Sequence, residues 1–119
     1  MLLIDDSDMA LDFQTKLLAR FGFEVRSCSQ LCDVRERVDG WRPAAIVTDV
    51  DLPEAENTDV LGFLRADPGT NGVPVVLCSG LPLEDLERLA SERSADGFVS
   101  KSDNIQALPE EVRRVLSVK

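Results

Sequence analysis

Five short apolar runs alternate with five stretches of helical periodicity, and this alternation limits the fold more than any other feature. The runs are MLLI (1–4), FEVRSC (23–28), AAIV (44–47), VPVVLC (73–78) and GFVS (97–100). Runs of four to six apolar residues bounded by polar or turn residues predict buried strands. From Asp8 to Arg20, Met9, Leu11, Phe13, Leu17 and Leu18 approximate one helical face, with Ser7 or Asp8 as its cap and Gly22 beyond its end. LCDVRERVDG (31–40) sets Leu31, Val34 and Val38 on one side. DVLGFLRAD (59–67) stops at Pro68-Gly69. PLEDLERLASER (82–93) repeats Leu83, Leu86, Leu89 and Ala90 at helical spacing, acids first and arginine last, as the helix dipole favours. The last helix carries Val112, Val115 and Leu116. Its start falls between Asn104 and Leu108, since Pro109 suits a first helical turn.

Strand and helix in strict alternation predict a five-stranded parallel sheet, doubly wound, with helices on both faces. The whole chain, 1–119, reads as one domain. Leu2 to Ile4, Ile46, Val47, Val75 to Leu77 and Val99 are the expected sheet core. DLPEAENTD (51–59) reads as a polar loop, and Trp41 as a loop residue away from any site.

The net charge of −9 opposes direct binding to nucleic acid. The three cysteines, Cys28, Cys32 and Cys78, form no C-x-x-C pair, and with no histidine there is no zinc pattern. They read as reduced, structural thiols in a cytoplasmic protein. No basic leader precedes the first run, and none of the runs approaches the ~20 residues of a membrane span. Without histidine, any chemistry falls to carboxylates, hydroxyls, lysine or a metal.

The residues that follow the runs carry a pattern. LLI leads into Asp5 and Asp6, AIVT into Asp49, VVLC into Ser79, and FVS into Lys101. In a parallel sheet all strand C-termini lie on one edge, where ligands bind. The five side chains should therefore converge. Three carboxylates together need a proton or a cation, and an all-oxygen set suits Mg²⁺. Beside such an ion Asp49 is placed to attack phosphorus and form an aspartyl phosphate. Lys101 and Ser79 suit the phosphoryl oxygens. Taken singly, each residue also reads as an ordinary turn, cap or surface group.

Together, LLIDDS, IVTDVDLP, VVLCSG and FVSK resemble the receiver domain of bacterial two-component response regulators over almost the full chain. The resemblance implies a flavodoxin-like (βα)5 sandwich. It implies Asp49 as phosphoacceptor, and Mg²⁺ bound by Asp5, Asp6, Asp49 and the backbone carbonyl of Asp51. Ser79 and Lys101 would bind the phosphoryl group, Phe98 would be the switch aromatic, and Gly80 would keep the phosphate accessible. The implied partners are a sensor histidine kinase or phosphotransfer protein and an effector docked on the fourth helix, fifth strand and fifth helix. Dimerisation on phosphorylation stays open. Such a domain is a signalling module, not an enzyme, though it assists its own phosphorylation and dephosphorylation.

The sequence departs from the family in three places. Ser102 follows the lysine where the family usually has proline after a cis peptide. A cis bond without proline costs about 3 kcal/mol, which favours a trans peptide and a displaced Lys101. Val60 stands nearest to a usual glycine. Asp51 adds charge two residues after the acceptor. Two other readings compete: a pseudo-receiver that acts as an unphosphorylated scaffold, and a haloacid-dehalogenase-type phosphatase, whose D-x-D nucleophile DVD at 49–51 resembles.

Overall fold

The computed structural model describes residues 1–50 and 60–117, excluding the side chain of Cys32. Five parallel strands form one sheet: β1 (Leu2–Ile4), β2 (Arg26–Cys28), β3 (Ile46–Thr48), β4 (Val75–Ser79) and β5 (Gly97–Ser100). Their order is β2-β1-β3-β4-β5. The chain thus runs outward from β1 in both directions, and the reversal falls between β1 and β3. The helices are α1 (Asp8–Arg20), α2 (Val34–Arg37), α3 (Val60–Ala66), α4 (Leu83–Arg93) and α5 (Leu108–Ser117). This is the doubly wound, three-layer, flavodoxin-like sandwich that the alternation predicts.

Strand periodicity divides the core. Leu2, Ile4, Ile46, Val75 and Leu77 face one side and pack with Val34, Leu61, Leu64 and Leu86 from α2, α3 and α4. Leu3, Val47, Val76, Cys78 and Val99 face the other and meet Leu17, Leu18, Leu108, Val112 and Val115 from α1 and α5. Successive side chains point to opposite faces, so a strand covered on both sides must be apolar throughout. Every residue expected in the sheet core is buried.

Three local expectations change. Phe23 to Val25 do not join β2, because the Phe23 N–H turns back to the Leu18 carbonyl and closes α1. The helical stretch from residue 31 shrinks to a 3-10 turn, Leu31–Asp33, and the four residues of α2. In α1, Met9 and Phe13 are exposed, while Gln14, Leu17 and Leu18 face inward. At 100° per residue, 14 and 18 lie on one stripe and 9 points away from it. Ser7 is the α1 cap, its Oγ accepting the Ala10 N–H at 3.2 Å. A 3-10 turn, Ile105–Ala107, precedes α5. Among the described residues, no helix is long and apolar enough to cross a membrane.

Leu18 is fully buried and Met9 is 85% exposed on the same helix. Leu18→Ala should cost about 2–5 kcal/mol of unfolding free energy, and Met9→Ala less than about 0.5 kcal/mol. Urea unfolding of both variants checks the inward face of α1.

Candidate phosphoacceptor site

Backbone pairing sets the site before any side chain acts. The ladder continues one residue past three strands. The Asp5 N–H donates to the Cys28 carbonyl at 3.2 Å, the Asp49 N–H to Ile4 at 2.9 Å, and the Lys101 N–H to Ser79 at 2.7 Å. Asp5, Asp49 and Lys101 are therefore held to neighbouring strands at the C-terminal edge of the sheet. Asp5 and Asp49 follow β1 and β3, the two strands that flank the reversal of strand order.

The side chains complete the arrangement. Asp5 is 1% exposed and Asp49 6%, while Asp6 faces solvent. Lys101 Nζ lies 2.5 Å from Asp5 Oδ2 and 2.9 Å from Asp49 Oδ2. One ammonium thus bridges two buried carboxylates. Asp5 Oδ1 accepts the Ser7 N–H at 3.0 Å, and Oδ2 accepts Gln14 Nε2 at 3.3 Å. Thr48 Oγ1 donates to the Asp49 carbonyl at 2.9 Å. Buried charges persist only when paired and hydrogen-bonded, and this network does both.

Burial pushes the Lys101 ammonium toward a lower pKa, but hydrogen bonds and charge from Asp5 and Asp49 outweigh it and raise the pKa above the usual lysine value. The lysine is therefore a fixed cation. Behind it, burial pushes the Cys78 thiol up to about 12, which keeps it neutral. Cys28 and Cys78 are both buried and outside any disulfide.

Asp5, Asp6 and Asp49 can each offer an oxygen, the three lying within 4.8 Å of one another. An all-carboxylate set of this kind fits a hard divalent cation such as Mg²⁺. Asp51, whose carbonyl is the remaining expected ligand, lies outside the described residues, as does the 51–59 loop. Ser79 is fully buried, and its Oγ accepts the Leu81 N–H at 3.2 Å. Gly80 is exposed, and a Cβ there would meet no atom within 4 Å. Phe98 is half-buried and packs toward the core on the α2–α4 side. Its N–H, on the edge strand β5, donates to Glu111 Oε2 at 3.2 Å. No cis peptide occurs among the described residues, so Lys101–Ser102 is trans. Lys101 reaches both carboxylates all the same. Val60, at the missing glycine, is buried at the start of α3.

A family profile described as "Response regulator receiver domain" matches residues 1–113. The chain belongs to the response regulator receiver domain family. The receiver is 35% identical over 72 residues to the chemotaxis protein CheV2 of Helicobacter pylori. That match covers 60% of this chain and 23% of CheV2, so the chain spans under a quarter of that relative. A crystal structure of a response regulator from Desulfuromonas acetoxidans superposes with a TM-score of 0.82 at 24% identity, covering 98% of this chain and 95% of that one. The receiver domain of a sensor histidine kinase from Pseudomonas aeruginosa superposes at 0.79 with 17% identity, covering 98% and 95%. That structure holds a magnesium ion in its active-site cleft. Both superpositions support the fold. The family match sets the receiver apart from the D-x-D phosphatases.

Sequence reasoning missed four residues of this edge. Gln14 could have been found as a polar residue on the inward stripe of α1, a signal of a buried hydrogen bond. Thr48, Ser100 and Asp103 gave no comparable signal.

The raised pKa of Lys101 has a consequence for stability. The fold favours the protonated lysine, so this contribution is complete below the unfolded lysine value of about 10.4 and is lost as pH rises through the higher folded value. In urea unfolding, the stability difference between the native protein and Lys101→Met should stay constant from pH 7 to about 10 and shrink above it. A difference that grows above pH 10 would contradict the bridge.

Proposed function

We propose that this receiver is a phosphoacceptor switch in two-component signalling, charged on Asp49 by a sensor histidine kinase or phosphotransfer protein. The observation that carries the reading is the bridge from Lys101 to Asp5 and Asp49 at the C-terminal edge of the sheet. It puts a fixed cation within hydrogen-bond reach of the carboxylate that would take the group.

In the transfer an Asp49 carboxylate oxygen attacks phosphorus. The new O–P bond forms as the bond from phosphorus to the donor nitrogen or acyl oxygen breaks, and the leaving group takes that electron pair. Lys101 faces the oxygen charge that the acceptor brings together. Ser79, released from Leu81 N–H, is the hydroxyl suited to a phosphoryl oxygen. Asp5, Asp6 and Asp49 would hold Mg²⁺ with the Asp51 carbonyl. When bound, Mg²⁺ supplies charge neutralisation between the acidic pocket and the incoming phosphate. Gly80 leaves the approach to the site open. Phe98, in β5 and three residues before Lys101, belongs to the α4–β5–α5 face, where an effector would dock. The receiver thus acts as a signalling domain, assisting its own phosphorylation and dephosphorylation.

Intact mass after incubation with acetyl phosphate tests this. The expected result is a gain of one phosphoryl group that requires Mg²⁺ and is absent in Asp49→Asn. No gain in the folded native protein at saturating Mg²⁺ would contradict direct phosphorylation and leave a scaffold role.

A further inference from the structure

Ser100 is the last residue of β5 and is fully buried. A buried hydroxyl must have partners, and these are specific. Its Oγ donates to the Leu81 carbonyl at 2.8 Å and accepts the Asp103 N–H at 3.3 Å. Ser102 Oγ lies 3.2 Å away and 3.5 Å from the Gly80 carbonyl. With the Ser100 proton committed to Leu81, its remaining lone pair is open to the Ser102 hydroxyl. The Ser100 N–H is held by Asn104 Oδ1 at 2.7 Å.

The seam extends to α4. Pro82 is the residue before this helix and offers no side-chain cap. The cap comes from the other loop: Asp103 Oδ2 accepts the Leu83 N–H at 3.0 Å. A carboxylate at a helix N-terminus also suits the dipole. Residues 100–103 are therefore stitched to residues 80–83. Lys101 sits inside the stitched segment, with its own N–H on the Ser79 carbonyl.

We propose that Ser100 and Asp103 are positioning residues for Lys101, clamping its backbone to the Ser79–Leu83 segment so that its ammonium meets Asp49. The inference rests on the phosphoacceptor reading for its chemistry. Neither residue touches the reacting atoms. Both act through the backbone of Lys101, because a long side chain reaches a fixed point only from a fixed Cα. The same seam ties the lysine loop to the first turn of α4. Any displacement of the Ser79 segment toward a phosphoryl group must then be felt by both.

The test compares Ser100→Ala, Asp103→Ala and Asp103→Asn with the native receiver. At saturating Mg²⁺ and acetyl phosphate, the two alanine variants should phosphorylate about 5- to 10-fold more slowly, as expected for losing one or two positioning hydrogen bonds. Their Mg²⁺ dissociation constants should stay within about twofold, since no carboxylate of the cluster is changed. Asp103→Asn keeps an acceptor for the Leu83 N–H and should restore the rate. A role in stability alone would lower the unfolding midpoint without slowing the folded fraction, and would overturn the proposal. Asp103 is exposed, so its alanine variant decides the question if Ser100→Ala does not fold. Hydrogen exchange at Lys101 and Leu83 provides an arm independent of phosphorylation. Protection at both amides should fall about tenfold in Asp103→Ala, and unchanged protection would overturn the seam. A native protein that takes no phosphoryl group, with this loss of protection still seen in Asp103→Ala, would count against the phosphoacceptor reading and leave the seam standing.

Discussion

Everything at the candidate site depends on the parallel register of the sheet. Each strand enters from the same end and leaves at the same edge, so the residue after each strand is delivered to one line. The ladder runs past the strands to include Asp5, Asp49 and Lys101. Their Cα positions are thereby fixed by backbone hydrogen bonds that no side-chain rearrangement can alter cheaply. Residues far apart in sequence converge with little further expense in conformational entropy.

The second constraint is electrostatic. Two carboxylates buried side by side need a proton or a cation between them. Lys101 fills that role with contacts to both. Gln14 and the Ser7 N–H orient Asp5, while Asp6 stays exposed at the mouth. The result is a rigid acidic pocket with one fixed positive charge. It suits a reaction that needs positioning and charge neutralisation and makes no use of histidine. The neighbouring loops add a layer specific to this chain. A trans peptide follows the lysine, and Ser100 and Asp103 supply anchors that hold its segment against the entry to α4.

Much of this was legible in the sequence because it follows from periodicity. Short continuous apolar runs and helices of period 3.6 predict the layers, and the polar residue after each run predicts the edge. What stayed hidden depends on distance in space. Nothing local in FVSKSDN shows that Ser100 reaches Leu81 or that Asp103 caps α4, since both contacts join segments about twenty residues apart. The shortened α2 was misread because three apolar residues at helical spacing do not distinguish a long helix from a 3-10 turn followed by a single α-turn. Met9 and Phe13 read as one face with Leu17 and Leu18 only while apolar character is counted without its angle. Gln14 was the reverse case, since its angle put it inside despite its polarity.

We propose that the acidic edge takes a phosphoryl group on Asp49 with Mg²⁺ and that Ser79 and Lys101 respond to it. The most direct measurement is an amide ¹⁵N–¹H spectrum of the native chain with Mg²⁺, before and after adding beryllofluoride, a stable mimic of an acyl phosphate. The expected result is large shifts confined to the segments around Asp49, Ser79 to Leu83, Phe98 and Lys101 to Asn104, lost without Mg²⁺ and lost in Asp49→Asn. A spectrum that does not change, from a protein that is folded and loaded with Mg²⁺, would contradict it.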